Sequence, residues 1–285
     1  MIFNNRLFSA SIPLCLLCFC IAGPLFAVDN PEKINDPNFA HGQEARINVN
    51  SKLAGIDHFM VYVPSDYNDN QDWPVIFCYH GMGGQPTTWP FKQITNGRGF
   101  IIIGMGYATG NEKPMTEGQY INYIKRLQKN ALEVKKYISE RLRIDEKRLF
   151  ITGCSMGGWY ISSILESGPK AWAGAVILAA GRSPNARLIA TDSARIALRG
   201  KPIYIGAGER DVNLLAARKA EVYYKRLGAK VTFEEYKGAE HTCDPSKPKQ
   251  LYDWLIANSS VENTQSGPPK GEVSLKADKT DSAER

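Results

Sequence analysis

Ser155 has the surroundings in this chain that most directly suggest covalent chemistry. It stands in Gly153-Cys154-Ser155-Met156-Gly157, followed by Gly158, inside "LFITGCSMGGWY" at residues 149–160. Leu149, Phe150 and Ile151 have the character of a buried strand, and Trp159, Tyr160, Ile161 and Ile164 that of a packed helix. A serine on a sharp strand-to-helix turn projects its Oγ clear of the sheet, and small residues two before and two after it let the turn close. Gly153 and Gly157 meet that need. A helix begun by Met156 directs backbone N–H groups and the positive end of its dipole at the site. The chemistry implied is nucleophilic attack on an acyl carbon. The plainer alternative is a glycine-rich turn that happens to hold a serine.

A serine hydroxyl needs a base, usually histidine, held in turn by a carboxylate. Where an elbow of this kind is served by such partners, the acid and then the histidine follow the serine in the chain. Of the four histidines, His41, His58, His80 and His241, only His241 follows Ser155. It lies in "YKGAEHTCDP", just past a strand-like run. Between the two stand the aspartates Asp192 and Asp211. Asp211 ends "PIYIGAGERD", beyond a strand and before a helix near Leu214, and carboxyl ends of strands are where such sheets carry functional groups. Asp192 has no strand leading into it. Glu209 and then Glu240 are the rival acids, and the bland reading of Asp211 is a helix N-cap. The developing oxyanion requires N–H donors. Met156 supplies one by position. The second is expected in Gly81-Met82-Gly83-Gly84, where glycines allow a tight backbone approach. We assign it to Met82, with Gly83 the alternative, and His80 is expected to brace this loop. Trp89, Tyr107, Trp159 and Tyr160 are candidate pocket residues or plain core.

These side chains need a scaffold. The 285-residue chain is 43% hydrophobic, enough for a substantial core. Strand-like runs at 58–64, 74–80, 99–107, 148–154, 174–181, 201–208 and 230–238 are mostly continuous apolar stretches, as strands covered on both faces require. Helical periodicity lies between them, most clearly at 121–142, and also at 157–168, 214–228 and 248–259. The alternation predicts an α/β fold: a mostly parallel sheet with helices on both faces, in a single domain over 44–259. The segment 181–200 is a candidate small flap, and no large cap is expected.

At the N-terminus, Arg6 precedes the apolar run 7–27, which resembles a cleaved signal peptide ending at Ala27. A lipid-attachment box at Cys20 and a retained anchor are rival readings. Residues 28–43 form a polar leader. Residues 260–285 are polar, with Pro268-Pro269, and cannot bury enough surface to offset their ordering entropy, so a flexible tail is expected. The formal charge of +6 is dispersed, which argues against nucleic acid as a partner. No ligand cluster with metal-site spacing stands out, so neither metal nor cofactor is expected. Export leaves Cys78, Cys154 and Cys243 in an oxidising compartment, with an odd count.

From about Ile47 to Ala257 the chain resembles the α/β-hydrolase superfamily, through "VYVPSDYNDNQDWPVIFCYHGMGG", "ITGCSMGGWY", "GAGERD" and "GAEHT". It is most similar to secreted esterases related to polyhydroxybutyrate depolymerases, feruloyl and acetylxylan esterases, and the phospholipase/carboxylesterase and dienelactone-hydrolase groups. The resemblance implies metal-free hydrolysis of carboxylic esters, small or polysaccharide-borne, through an acyl-enzyme on Ser155. Dienelactone hydrolases place a cysteine at the nucleophile position, which this chain does not. Prolyl oligopeptidase-like peptidases share the elbow, so a peptidase is the alternative enzyme, and a carbohydrate-binding protein on the same fold is the non-catalytic one. Tannases and fungal feruloyl esterases tie a cysteine beside the serine to one directly after the histidine. Cys154 and Cys243 stand similarly, although Thr242 intervenes. The competing reading has Cys154 and Cys78 as buried thiols and Cys243 as a loop cysteine.

Overall fold

The computed structural model describes residues 39–49, 56–108, 115–245 and 248–259. The expected signal segment 1–27, most of the leader and the tail 260–285 lie outside the described residues.

Continuous apolar runs become central strands. β3 (Trp73–Tyr79), β4 (Ile101–Met105) and β6 (Gly174–Leu178) are buried at every residue. With β5 (Ile144–Cys154), β7 (Pro202–Gly208) and β8 (Lys230–Tyr236) they pair in parallel, and β1 (Glu44–Asn48) and β2 (His58–Tyr62) close one edge antiparallel. The order is β1-β2-β4-β3-β5-β6-β7-β8. Side chains alternate between faces. Val75, Phe77 and Tyr79 pack with α2 (Glu117–Ser139), α3 (Met156–Ser167) and α5 (Leu214–Arg226). Ile76 and Cys78 pack with α1 (Phe91–Ile94) and α6 (Pro248–Ser259) on the other face. The expected α/β sheet with helices on both faces is therefore present.

Local signals set the helix limits. Thr116 and Gln119 form a reciprocal capping box at the start of α2. Past α5, Gly228 adopts φ +80°, a left-handed conformation natural to glycine at a helix end. Three expectations are corrected. β1 is an additional strand. Residues 39–43, read from composition as the end of the polar leader, belong to the packed unit: Phe39 is 6% exposed and Gly42 N–H donates to Val63 O at 2.8 Å. The 181–200 segment is not a free flap. It forms a 3-10 turn (Pro184–Leu188) and α4 (Asp192–Ala197), and Ala186 and Leu198 are fully buried.

A buried ion pair clamps that segment down. Both Glu166 oxygens accept from Arg182, at 2.7 Å each, and Tyr224 donates to the same carboxylate at 3.0 Å. The Glu166 side chain has no exposed surface. Removing one partner strands the other without its counter-charge, at a cost of about 3 kcal/mol or more. Glu166→Ala should accordingly lower the urea midpoint with an unchanged m-value, and a loss under about 1 kcal/mol would show that the clamp is not structural.

Candidate active site

The elbow forms because β5 and α3 meet with almost no side-chain volume between them. A Cβ on Gly153 would collide with the Gly157 backbone, and one on Gly157 with the carbonyls of Tyr79 and His80. Between them Ser155 sits at φ 51°, ψ −114°, a left-handed φ that a non-glycine residue adopts only where surrounding structure imposes it. Its N–H donates to Leu178 O at 2.8 Å, and its carbonyl accepts from Trp159 N–H at 3.1 Å.

His241 reaches this turn from the loop after β8. Its Nε2 lies 2.9 Å from Ser155 Oγ, and its Nδ1 lies 2.9 Å from Asp211 Oδ1. The Asp211 side chain is fully buried, whereas the His241 side chain is 43% exposed, so the imidazole edge stands at the surface. Asp211 Oδ1 also accepts from Asn213 N–H at 2.8 Å, and Asn213 in turn donates to Ala179 O at 2.9 Å. With Asp211 orienting Nδ1 as a donor, Nε2 is left to accept the Ser155 proton. The rival acids point elsewhere: Glu209 accepts from Gly238 N–H at 2.7 Å, Glu240 is exposed, and Asp192 pairs with Arg195 on α4.

Met82 and Met156 both line the cleft over Ser155, together with Trp159, Val212, Asn213 and His241; its volume is about 310 Å³. Gly83 has φ +71°, and Gly84 N–H closes a turn on Gly81 O at 3.2 Å. Gly81 runs directly over the elbow, where an added Cβ would only touch Ser155 and Cys154 at ordinary contact distance. His80 Nδ1 lies 2.7 Å from Gly81 O, and burial holds its pKa below the ordinary value against the opposing pull of that bond. Because a carbonyl oxygen only accepts, Nδ1 is the donor in this bond to the loop.

The aromatic candidates separate. Trp159 lines the cleft. Tyr107 lies behind the loop, where its hydroxyl donates to His80 O and its ring packs 4.6 Å from the His80 ring. Tyr160 packs at a tilt against Tyr107 and Tyr123 in a tyrosine cluster. Trp89 is 41% exposed and is not among the residues lining this cleft. Sequence reasoning did not single out Asn213, which steadies Asp211, or Val212, which is 89% exposed at the cleft rim. The spacing of Asn213, two residues after an aspartate, is the available signal, since Asp side chains bond the backbone two residues on.

Cys154 and Cys243 form a disulfide across 89 residues, with Cα atoms 5.5 Å apart. The bond joins the residue before Ser155 to the second residue after His241. Cys243 is 6% exposed and packs in the core on the α6 face. Cys78 is a buried free thiol, pushed up to about 12 by burial despite a bond with Thr152.

Residues 93–195 match the model of the prolyl oligopeptidase family, about a third of the chain. No curated protein sequence matches it. Solved structures do. The fluorophosphonate-binding serine hydrolase FphF of Staphylococcus aureus is 17% identical over 78% of this chain and 100% of its own, with a TM-score of 0.59. A ferulic acid esterase is 17% identical over 76% of this chain and 97% of its own, with a TM-score of 0.58. An S-formylglutathione hydrolase from Agrobacterium tumefaciens is 16% identical over 76% and 95%, with a TM-score of 0.57. At these identities the likeness is one of fold.

The cysteine arrangement makes a countable expectation. A chain beginning at residue 28 should titrate one thiol when denatured without reductant and three after reduction. Digestion should recover Cys154 and Cys243 as one linked peptide pair. Three thiols before reduction, or a pair containing Cys78, would refute the bond.

Proposed function

We propose that this chain, which has the α/β-hydrolase fold, is an exported serine esterase acting on carboxylic esters. The observation that carries the reading is the unbroken line of contacts from Ser155 Oγ through both nitrogens of His241 to the buried carboxylate of Asp211. In the acylation step His241 Nε2 takes the Ser155 proton as Oγ attacks the ester carbonyl. The N–H groups of Met156 and Met82 receive the oxyanion. The imidazolium, held by Asp211, then returns its proton to the departing alcohol. Water repeats the sequence on the acyl-enzyme and releases the acid.

The shallow cleft and its apolar rim favour an ester that leaves its alcohol portion outside the protein. Met82 and Val212 are 82% and 89% exposed beside the nucleophile, so they offer apolar contact without enclosing the substrate. Export is supported by the signal-like residues 1–27 and by a disulfide, a bond that persists in oxidising compartments. The peptidase alternative draws on the prolyl oligopeptidase match. That match contains Ser155 but ends before Asp211 and His241, and thus does not discriminate between ester and amide.

Purified protein should hydrolyse p-nitrophenyl acetate and butyrate faster than a proline-directed peptide amide. Ser155→Ala and His241→Ala should each lower turnover by about 10³-fold or more, and Asp211→Asn by up to about 10⁴-fold. Faster cleavage of the amide would select the peptidase. No turnover of any substrate would select a binding protein.

A further inference from the structure

The edge of the sheet opposite Ser155 carries a second concavity, a cleft of about 560 Å³. It opens where β5, β6, β7 and β8 begin, whereas Ser155, Asp211 and His241 follow strand ends. The length of β7 alone separates the two edges by about 20 Å. The volume is within the range of about 300–1,000 Å³ common for small-ligand sites.

Its walls are strongly cationic. Lys147, Lys170, Arg199 and Lys230 line it and are exposed, and their side chains make no ion pair or hydrogen bond among the described residues. The acidic residue in the lining, Glu146, is drawn to Lys135 at 3.0 Å. Two further donors lie beside it, one half-buried and one buried. Lys201 donates to Trp172 O, and burial lowers its pKa, as expected for an ammonium with little water and a single protein acceptor. The indole N–H of Trp172, a residue only 2% exposed, has no acceptor in the protein. Positive charge thus gathers on a concave surface whose one acidic side chain is drawn aside. Cations are favourable near helix C-termini, and this accounts for Lys170 and Arg199 next to α3 and α4. It does not account for Lys147 and Lys230, which come from strands.

We propose that this cleft binds a short oligoanion, a chain carrying several carboxylate or phosphate groups, at a site separate from the ester-cleaving centre. Several spaced point charges suit a ligand whose anionic groups are themselves spaced. Nucleic acid fits poorly, because the aromatic in the wall is buried and offers no face for a base.

Titration calorimetry on the full chain at low salt, with tetragalacturonate and with tripolyphosphate as separate probes, tests the site. Saturable binding of at least one is expected, weakening as salt rises. The triple variant Lys147→Gln, Lys170→Gln, Lys230→Gln should bind about tenfold more weakly or worse while hydrolysing p-nitrophenyl acetate like the parent. Its substitutions are all exposed, so the fold is retained. Binding of one probe alone identifies the anionic group. Binding of neither probe, or undiminished binding by the triple variant, overturns the proposal. Ester turnover does not enter the titration, so failure of the esterase reading would leave this result intact.

Discussion

The close crossing of β5 over the first turn of α3 is the constraint on which the site depends. Neither Gly153 nor Gly157 can carry a side chain, because each faces backbone and not a movable side chain. Their smallness lets the chain reverse within one residue, and that residue, Ser155, accepts a φ of 51°. Such a conformation costs about 1–3 kcal/mol. The bond from Ser155 N–H to Leu178 O and the fully buried α3 residues Ile161, Ile164 and Leu165 hold it in place. The strained turn places Ser155 and Met156 together in the lining of the cleft.

The other members must be brought to this fixed point. Asp211 arrives on a turn after β7, whose Gly208 leaves room for the carbonyls of Ala239 and Glu240 to pass close by. Backbone bonds from Arg210 N–H to Ala239 O and from Glu209 N–H to Tyr236 O lock the Asp211 turn to the loop bearing His241. The Cys154–Cys243 bond then ties that loop to the elbow itself. Closing 89 residues of chain removes unfolded-state freedom worth on the order of 4 kcal/mol in the chain-entropy account. A loop with an exposed histidine is thereby held at hydrogen-bond distance from the serine before any substrate arrives.

Much of this was legible in the residues. The apolar runs fall on the central strands, and the elbow, His241 and the choice of Asp211 over Asp192 follow from motif, order and position after a strand. What escaped has physical reasons. β1 has a single deeply buried large residue, Ile47, in "EARIN", and owes its strand to backbone pairing with β2 at the edge. Phe39 is one apolar residue in a polar run, and only tertiary contact reveals that it is packed. Trp159 and Tyr160 are neighbours on one helix, about 100° apart, and composition cannot decide which faces the cleft. The Cys154–Cys243 pairing was raised only by the resemblance to tannases and fungal feruloyl esterases, because convergence of the two backbones in space is a relation that sequence spacing does not contain. The basic cleft collects residues from five separated segments, so no local motif announces it.

The proposed role of Ser155, a nucleophile on a strained turn activated by His241, is open to direct measurement. Labelling with a fluorophosphonate, followed by peptide mapping, measures this without assuming any substrate. A single modified residue, Ser155, is expected in the folded protein, with little labelling after His241→Ala. No modification of the native protein, or modification at another residue while Ser155 stays free, would contradict it.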